Sequence, residues 1–545
     1  RAIVDLYNGT AVDRARLGYY CVEDSNILDD LNVARAMLVE IYQFAGVFGI
    51  VPEWVYFRGQ QVRFVAQILK KARMAEATPL LMNRPPDGFQ GENRAGFDGA
   101  VVVEPVKGFH LEPVATLDWK SLYPSIMISG NLCHSTCVID PALVAVDGVD
   151  HYAISDDYHT HFVSERVHRG ILPQILEELA AERTKAKGMV KRELKEAVKY
   201  EEGSAAQRHH VQMSKVYDGR QGAIKVAMNS IYGACGTSVD AGAKFPCLDI
   251  SATVTFIGRR TMDDLKRFIA DRYPTSEIIY GDTDSIMIKF GGVDDVDECA
   301  SLSVDAAEAA TVYFQSALRM RAMELEFEKI FRPYLLEGKK RYIGLKYEPS
   351  GTTMTCTGID AKGVETERKD TLPYLKTIMR EVRDALILRR DAVEALACFR
   401  ARMDALVAGA VPMELLVLKK NLSSKVVDKT GQIAHARVNR KRREREAGSE
   451  AQVNEQVEYV ILSGGHKNSK TTDLAEDPAH AKAHGLGLNY KWYWEHCIRD
   501  AMKKILEYVP TIDYAKLTRE YTLRLESKRM GVQSTAMRSM FKARE

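Results

Sequence analysis

Three carboxylates sit where they could hold a divalent metal. Asp118 closes the short apolar run Val114-Ala115-Thr116-Leu117 and is followed by Trp119-Lys120-Ser121-Leu122-Tyr123-Pro124-Ser125. A carboxylate at a strand end, then a turn into a helix with proline near its start, leaves backbone N–H groups pointing outward. Such a turn can hold phosphate oxygens while the carboxylate holds their metal. Asp282 and Asp284 flank Thr283 between Glu277-Ile278-Ile279-Tyr280 and Ile286-Met287-Ile288, a β-hairpin pattern. Two residues apart on extended chain, their side chains would face the same way, and a divalent cation relieves carboxylates crowded together. Taken alone, the triplet reads rather as turn aspartates bonding local backbone.

A basic projection shifts that balance. Two helical patterns between about 171 and 232 carry the apolar stripes Ile171, Leu172, Ile175, Leu176, Leu179 and Ile224, Ala227, Met228, Ile231, with Glu201-Glu202-Gly203-Ser204 as a hairpin tip. Residues 166–237 hold 13 Lys/Arg against 8 Asp/Glu, a surplus of five. Arg183 and Lys187 are four apart and share a face of the first helix; Lys225, Asn229 and Tyr232 share a face of the second. A charge run on a helix is usually a solvated surface, but two cationic faces on adjacent helices can address one polyanion. Carboxylate and metal on one side, Lys and Arg on the other, is the layout of phosphoryl transfer, where positioning and charge neutralisation do most of the catalysis.

The elements that must position these groups follow from the rest of the chain. It has 545 residues, 46% hydrophobic and 28% charged, enough for several domains with buried cores and too apolar for disorder. Its net charge of +2 argues against coating nucleic acid by bulk charge, yet allows charge segregated between faces. No apolar run is long enough for a membrane-spanning helix. Nine cysteines without a CxxC pair indicate neither a disulfide framework nor a zinc ribbon and fit a reducing intracellular compartment; Cys133-His134-x-x-Cys137 reads as packing. Residues 1–75 read as helices, with Leu31, Ala34, Leu38 and Ile41, flanked by Met37 and Phe44, on one apolar face. A Pro- and Gly-rich loop follows, then strand-like Val101-Val102-Val103, a helix over about 249–270 after the basic projection, and a mostly helical last 200 residues containing Arg440-Lys441-Arg442-Arg443.

The motifs together resemble the family B DNA polymerases. Asp118-x-x-Ser121-Leu122-Tyr123-Pro124-Ser125-Ile126 is similar to motif A, Lys225-x-x-x-Asn229-Ser230-x-Tyr232-Gly233 to motif B and Tyr280-Gly281-Asp282-Thr283-Asp284-Ser285 to motif C. Lys339-Lys340-Arg341-Tyr342 resembles the primer-gripping element, and Lys362-Gly363-x-Glu365-x-x-Arg368-Lys369-Asp370 the thumb signature. The five motifs occur in family order, the resemblance covers almost the whole chain, and it has the flavour of the delta-like group, which includes polymerases of large eukaryotic DNA viruses.

The resemblance implies an α/β (α+β) right hand with an antiparallel palm sheet, helical fingers and a helical thumb. Its divisions would be the C-terminal remnant of a 3′–5′ exonuclease domain (1–75), linker and first palm segment (76–165), fingers (166–237), second palm segment (238–350), and thumb with C-terminal tail (351–545). It implies template-directed addition of dNTPs to a primer–template, with two Mg²⁺ ions on Asp118 and Asp284 and Asp282 nearby. Ser121, Leu122 and Tyr123 would offer backbone groups to the triphosphate, with the Tyr123 ring excluding a ribose 2′-hydroxyl. Arg183, Lys187, Lys225 and Asn229 would clamp the triphosphate, and Tyr232 would sit under the nascent pair. Lys340, Arg341 and Tyr342 would contact primer DNA.

The chain departs from the family pattern in places. Phe97-Asp98-Gly99-Ala100 replaces a Tyr-x-Gly-Gly/Ala element and loses a hydroxyl suited to template backbone. Tyr20 and Asp24 resemble the third exonuclease motif, with the first two expected upstream of Arg1, so the chain reads as a fragment without competent proofreading. Met537, Met540 and Phe541 resemble a sliding-clamp docking tail, with an amphipathic helix end as the alternative. The terminal cysteine pairs of eukaryotic delta-type enzymes are missing, which favours a viral type or truncation. The expected location is intracellular, in the nucleus or, for a viral enzyme, at a nuclear or cytoplasmic replication site of the host. The basic run at Arg440–Arg443 is read as a DNA-backbone contact, a solvated surface or a nuclear-import signal. Competing readings are a non-catalytic polymerase-like module, a reverse transcriptase and a protein-primed polymerase. The retained carboxylates, then the fingers motif together with the Asp-Thr-Asp turn, and then the absence of a large insertion between motifs A and B argue against them in that order.

Overall fold

Apolar residues at helical spacing and a set of alternating or fully apolar short runs divide the chain into helices and strands much as expected. The computed structural model describes residues 2–35, 37–74, 98–100, 102–237, 242–367, 370–427, 429, 431–464 and 469–527. The chain falls into two compact units, one of residues 1–101, 118–269 and 306–326, the other of residues 102–117, 270–305 and 327–545.

The first unit is built on the basic projection, two long helices over Ile171–Ala197 and Ala205–Cys235. Ser204 caps the second, its hydroxyl accepting from the Gln207 amide at 3.1 Å. Arg220 pairs with Glu182 (2.7 Å) and His210 with Glu193 (2.8 Å), which fixes an antiparallel register. A half-exposed ion pair such as Arg220–Glu182 contributes about 0–1 kcal/mol. The buried stripe of Leu172, Ile175, Leu176, Ile224, Ala227, Met228 and Ile231 contributes about 1.5–3 kcal/mol per large side chain, so apolar packing holds the pair. The helix Gln60–Met74 packs on both, and Gln61 Nε2 donates to the Ala234 carbonyl at 3.0 Å. The apolar face expected over 31–44 is divided between helices Ala11–Arg35 and Met37–Phe48, and Leu31, Met37 and Leu38 are exposed. A helix over Leu248–Arg272 and a short one over Leu122–Ser129, buried from Leu122 to Ile128 except at Tyr123, complete the unit's interior.

The second unit is organised by an eight-stranded sheet. Its strands are β1 (Val102–Val103), β2 (Gly108–His110), β3 (Val114–Trp119), β6 (Ser276–Asp282), β7 (Ser285–Phe290), β8 (Leu325–Gly338), β9 (Arg341–Ser350) and β10 (Thr353–Lys362). The numbers β4 (Val149–Ala153) and β5 (His159–Val163) belong to a separate hairpin in the first unit. The order is β1-β6-β7-β3-β8-β9-β10, with β2 also paired to β8. The pairs β1–β6, β6–β7, β2–β8, β8–β9 and β9–β10 are antiparallel. Val114, Ala115, Thr116 and Leu117 are all buried, as a central strand covered on both faces requires. One core gathers Val114, Ile279, Tyr280, Met287, Phe331, Tyr334 and Leu336; another sets Leu335, Ile343 and Leu345 against the helices Pro373–Ile387 and Ala392–Ala408.

The last 200 residues hold more sheet than their composition suggests. The β9–β10 pairing runs across position 350, and β11 (Leu418–Asn421), β12 (Gln456–Ile461) and β13 (Ala475–Glu476) form a three-stranded sheet of their own. Among the described residues no helix is long and apolar enough to cross a membrane.

Candidate functional site

Asp118 is the fifth residue of β3, half-buried between Leu117 and Trp119. Trp119 is anchored edge-on to Phe314, with ring centroids 4.8 Å apart. The chain then turns at Ser121, whose φ of 53° lies in the left-handed region, into the Leu122–Ser129 helix. A non-glycine residue there costs about 1–2 kcal/mol, and the surrounding packing must sustain it. The Ser121 side chain does not cap the helix, so the Leu122 amide lies at a helix start where no earlier turn supplies a carbonyl.

The helix packs on both helices of the basic projection. Tyr123 lies against Tyr232, with centroids 4.5 Å apart and planes at 44°. Burial raises the Tyr232 phenol above its ordinary value. Arg183 is half-buried, and its buried Nε has no hydrogen-bond partner among the described residues. Burial lowers the Arg183 guanidinium despite the pull of Glu326. Lys187 is lowered by burial and by the like charges of Arg183, Lys120 and Lys225, again against Glu326. Lys225 and Asn229 are exposed one turn apart. The first unit therefore brings Arg183, Lys187 and Lys225 into one electrostatic cluster with more cations than anions.

The acidic hairpin belongs to the second unit. Asp282 ends β6 opposite Ser285, leaving Thr283 and Asp284 as a two-residue turn. Thr283 has φ 64°, and the Asp284 amide donates to the Asp282 carbonyl at 2.7 Å. The two aspartates are thus not joined by extended chain, and the same-face argument from strand spacing does not apply; tight hairpin turns require left-handed residues. Gly281 is dictated by β1, since a Cβ there would stand 2.9 Å from Val103 Cγ2 and 3.0 Å from the Ser285 carbonyl.

Lys340 occupies the β8–β9 turn with φ 60°. Its amide donates to the Tyr280 hydroxyl at 2.7 Å, and its ammonium is 3.5 Å from Asp282 Oδ1. Gly363 is locked against this turn, because a Cβ there would fall 2.2 Å from the Lys340 carbonyl oxygen. Arg341 spends its guanidinium on Glu365 (2.6 Å) and Glu337 (3.4 Å), and Lys504 also binds Glu365 at 2.7 Å. Burial and the adjacent Glu365 push the Glu337 carboxyl up to about 7. Tyr342 packs its ring on Phe331 and Tyr334, with centroids 5.7 and 5.5 Å apart. Of the three residues expected to contact DNA, Lys340 alone presents an exposed side chain.

Other expected features are placed differently or lie elsewhere. Tyr20 and Asp24 stand exposed on the Ala11–Arg35 helix, and a hydrogen bond to Asp24 raises the Tyr20 phenol. His134 is buried with Nε2 3.0 Å from the Phe245 carbonyl, and Cys137 is 3.6 Å from Asp249, a packed arrangement. Most of the Arg440–Arg443 run is paired within the protein: Lys441 to Glu476 (3.2 Å), Arg442 to Asp477 and Arg440 to Glu444 (2.7 Å). Phe97, Arg368, Lys369, Met537, Met540 and Phe541 lie outside the described residues. Sequence reading missed Lys120, Glu324 and Glu326 as members of the cationic site. The available signal was a lysine two residues after Asp118, and two glutamates alternating about Leu325.

Among the described residues no three His, Cys, Asp or Glu side chains gather as a self-sufficient metal site. Magnesium does not need one, because one or two carboxylates suffice when substrate phosphates and water complete its octahedron. Asp118, Asp282 and Asp284 offer hard oxygen donors of that kind.

A family model for DNA polymerase family B matches residues 50–509. The chain belongs to that family. It is 32% identical over 512 residues to the DNA polymerase delta catalytic subunit of Arabidopsis thaliana, covering 93% of this chain and 44% of that protein. The Bos taurus subunit is 33% identical over 513 residues, covering 93% and 43%, and that of Plasmodium falciparum 31% over 513 residues, covering 93% and 44%. The chain thus spans under half the length of these relatives.

Proposed function

We propose that this chain performs template-directed DNA synthesis in replication, joining deoxynucleoside triphosphates to a primer 3′-hydroxyl. The observation that carries the reading is the cation cluster of Arg183, Lys187 and Lys225 on helices packed against the Leu122–Ser129 helix that follows Asp118. The 3′-oxygen attacks the α-phosphorus, the bond to the β-phosphate oxygen breaks, and pyrophosphate leaves. Two Mg²⁺ ions held by Asp118, Asp284 and the phosphates would favour the 3′-alkoxide and neutralise the departing charge.

The side chains supply the rest. Arg183, Lys187 and Lys225 bind the β- and γ-phosphates by charge-assisted hydrogen bonds, with Asn229 assisting, while Ser121, Leu122 and Tyr123 offer backbone groups. Tyr123, braced on Tyr232, presents a ring edge that excludes a 2′-hydroxyl, and Tyr232 supports the nascent pair. Lys340 holds the primer terminus and keeps Asp282 oriented. Arg341 and Tyr342 act in this reading by fixing the Lys340 turn. Template pairing carries the sequence information, so the protein grips backbone and shape.

In this reading residues 166–237 are the fingers, the eight-stranded sheet is the palm and continues through β10, and the thumb begins after Lys362. A two-metal nuclease needs several carboxylates, of which Tyr20 and Asp24 together supply one. Met537, Met540 and Phe541 dock a sliding clamp, and the enzyme works at an intracellular replication site, in the nucleus or, if the enzyme is viral, in the host nucleus or cytoplasm.

Time courses of extension on a matched primer test the reading. Stepwise extension with complementary dNTPs is expected, and no extension would contradict polymerisation.

A further inference from the structure

Lys120 is held by two carboxylates, and its charge acts on Lys187 in the cation cluster. Its ammonium lies 2.8 Å from Glu324 Oε2 and 3.4 Å from Glu326 Oε1. Its amide donates to the Glu324 carbonyl at 2.9 Å, and its own carbonyl accepts from the Ser125 hydroxyl at 3.0 Å. Main chain and side chain therefore both hold Lys120 against the start of β8. Glu326 is also the carboxylate whose charge acts on Arg183 and on Lys187. Four cations, Lys120, Arg183, Lys187 and Lys225, thus share a neighbourhood with two carboxylates, Glu324 and Glu326.

How those two carboxylates are distributed decides what the cluster can bind. A carboxylate that swings onto Arg183 or Lys187 competes directly with a phosphate oxygen for the same N–H groups. An ammonium bridging both carboxylates prevents the swing, and the backbone hydrogen bond to Glu324 sets the bridge in place before any ligand arrives. Arg183 is left with a buried Nε that has no hydrogen-bond partner among the described residues, the state expected of a donor kept for an incoming anion.

We propose that Lys120 is a positioning residue for the nucleoside triphosphate: by occupying Glu324 and Glu326 it reserves Arg183 and Lys187 for phosphate oxygens. The proposal rests on the polymerase reading above and deepens its substrate site. Lys120 touches neither reacting atom. It acts through Glu326, so its loss should weaken triphosphate binding more than the chemical step, and removing the carboxylate should undo that loss.

The test is steady-state single-nucleotide incorporation on a primer–template, with the complementary dNTP varied. Lys120→Met should raise KM for dNTP about tenfold, equivalent to ~1.4 kcal/mol, with kcat changed less than about twofold. Lys120→Arg, whose forked guanidinium can span both carboxylates, should recover most of the affinity. The double variant Lys120→Met/Glu326→Gln should return KM to near the wild-type value, which a merely structural role for Lys120 would not produce. An unchanged KM in Lys120→Met, an equal loss in kcat, or a double variant as weak as the single would overturn the proposal. Wild-type chain run in parallel keeps the two readings apart: extension by wild type leaves any failure with Lys120, whereas no extension by wild type overturns the polymerase reading itself.

Discussion

Two regions of this molecule carry dense positive charge and use it in opposite ways. Around Arg183, Lys187 and Lys225 the cations outnumber nearby carboxylates, and Arg183 keeps a buried N–H without a partner among the described residues. Around Arg440–Arg443 the charge is spent inside the protein on Glu444, Glu476 and Asp477, with Arg445 adding a pair to Glu476 at 2.7 Å. In the linear sequence the second region is the more basic. What distinguishes an anion site from a structural stitch is the charge left over after folding.

Replacing a cation in each region separates the two uses. Arg183→Ala or Lys225→Ala is expected to raise KM for dNTP by roughly 10²-fold, the scale of one charge-assisted hydrogen bond of ~2–3 kcal/mol. Unchanged kinetics would place the unspent charge on the wrong substrate.

The stitched region should answer in stability instead. Arg442→Ala removes the cation from the largely buried Asp477 and should cost about 3 kcal/mol in denaturant unfolding, with KM for dNTP unaltered; Arg445→Ala, which leaves Glu476 its Lys441, should cost less. A shifted KM with unaltered stability would reverse the assignment of the two regions. Glu476 adds a pH signature. Despite its burial, hydrogen bonds and charges from Arg445, Asp477 and Lys441 hold its carboxyl at about 2. Its contribution is therefore complete above its ordinary value near 4.5 and is lost as pH falls from there toward 2. Tm should drop more steeply over that range in wild type than in Glu476→Gln.

Glu337 shows the opposite imbalance, a buried carboxylate that must share Arg341 with Glu365. With its carboxyl near 7, the neutral form suits the fold, and stability is lost as pH rises from about 4.5 through 7. Glu337→Gln should gain on the order of 1 kcal/mol over wild type at pH 8 and nothing at pH 4. A gain that is independent of pH would mean that packing, not charge, dominates there.

Much of this was legible from residue types and spacing because those signals are local. The strand that carries Asp118, the two long helices with Ser204 at their tip, and the hairpin around Asp282 and Asp284 follow from apolar periodicity and turn chemistry over a few residues. The partners of the charges were not legible, since they lie far apart in sequence: Lys120 with Glu324 and Glu326, Arg341 with Glu365, Lys441 with Glu476. Thr283 was misread for a related reason. A two-residue turn forces it left-handed, so spacing alone could not say where the flanking carboxylates point. The β10 strand was hidden because its alternating Thr, Met and Cys residues carry little apolar signal without β9 beside them.

The most direct test of the central claim is single-turnover primer extension by Asp118→Asn and Asp284→Asn, with primer–template binding measured on the same preparations. The account predicts that each variant binds primer–template and extends it at least about 10³-fold more slowly, the loss of several kcal/mol of metal-assisted charge stabilisation. Extension near the wild-type rate by either variant would contradict it.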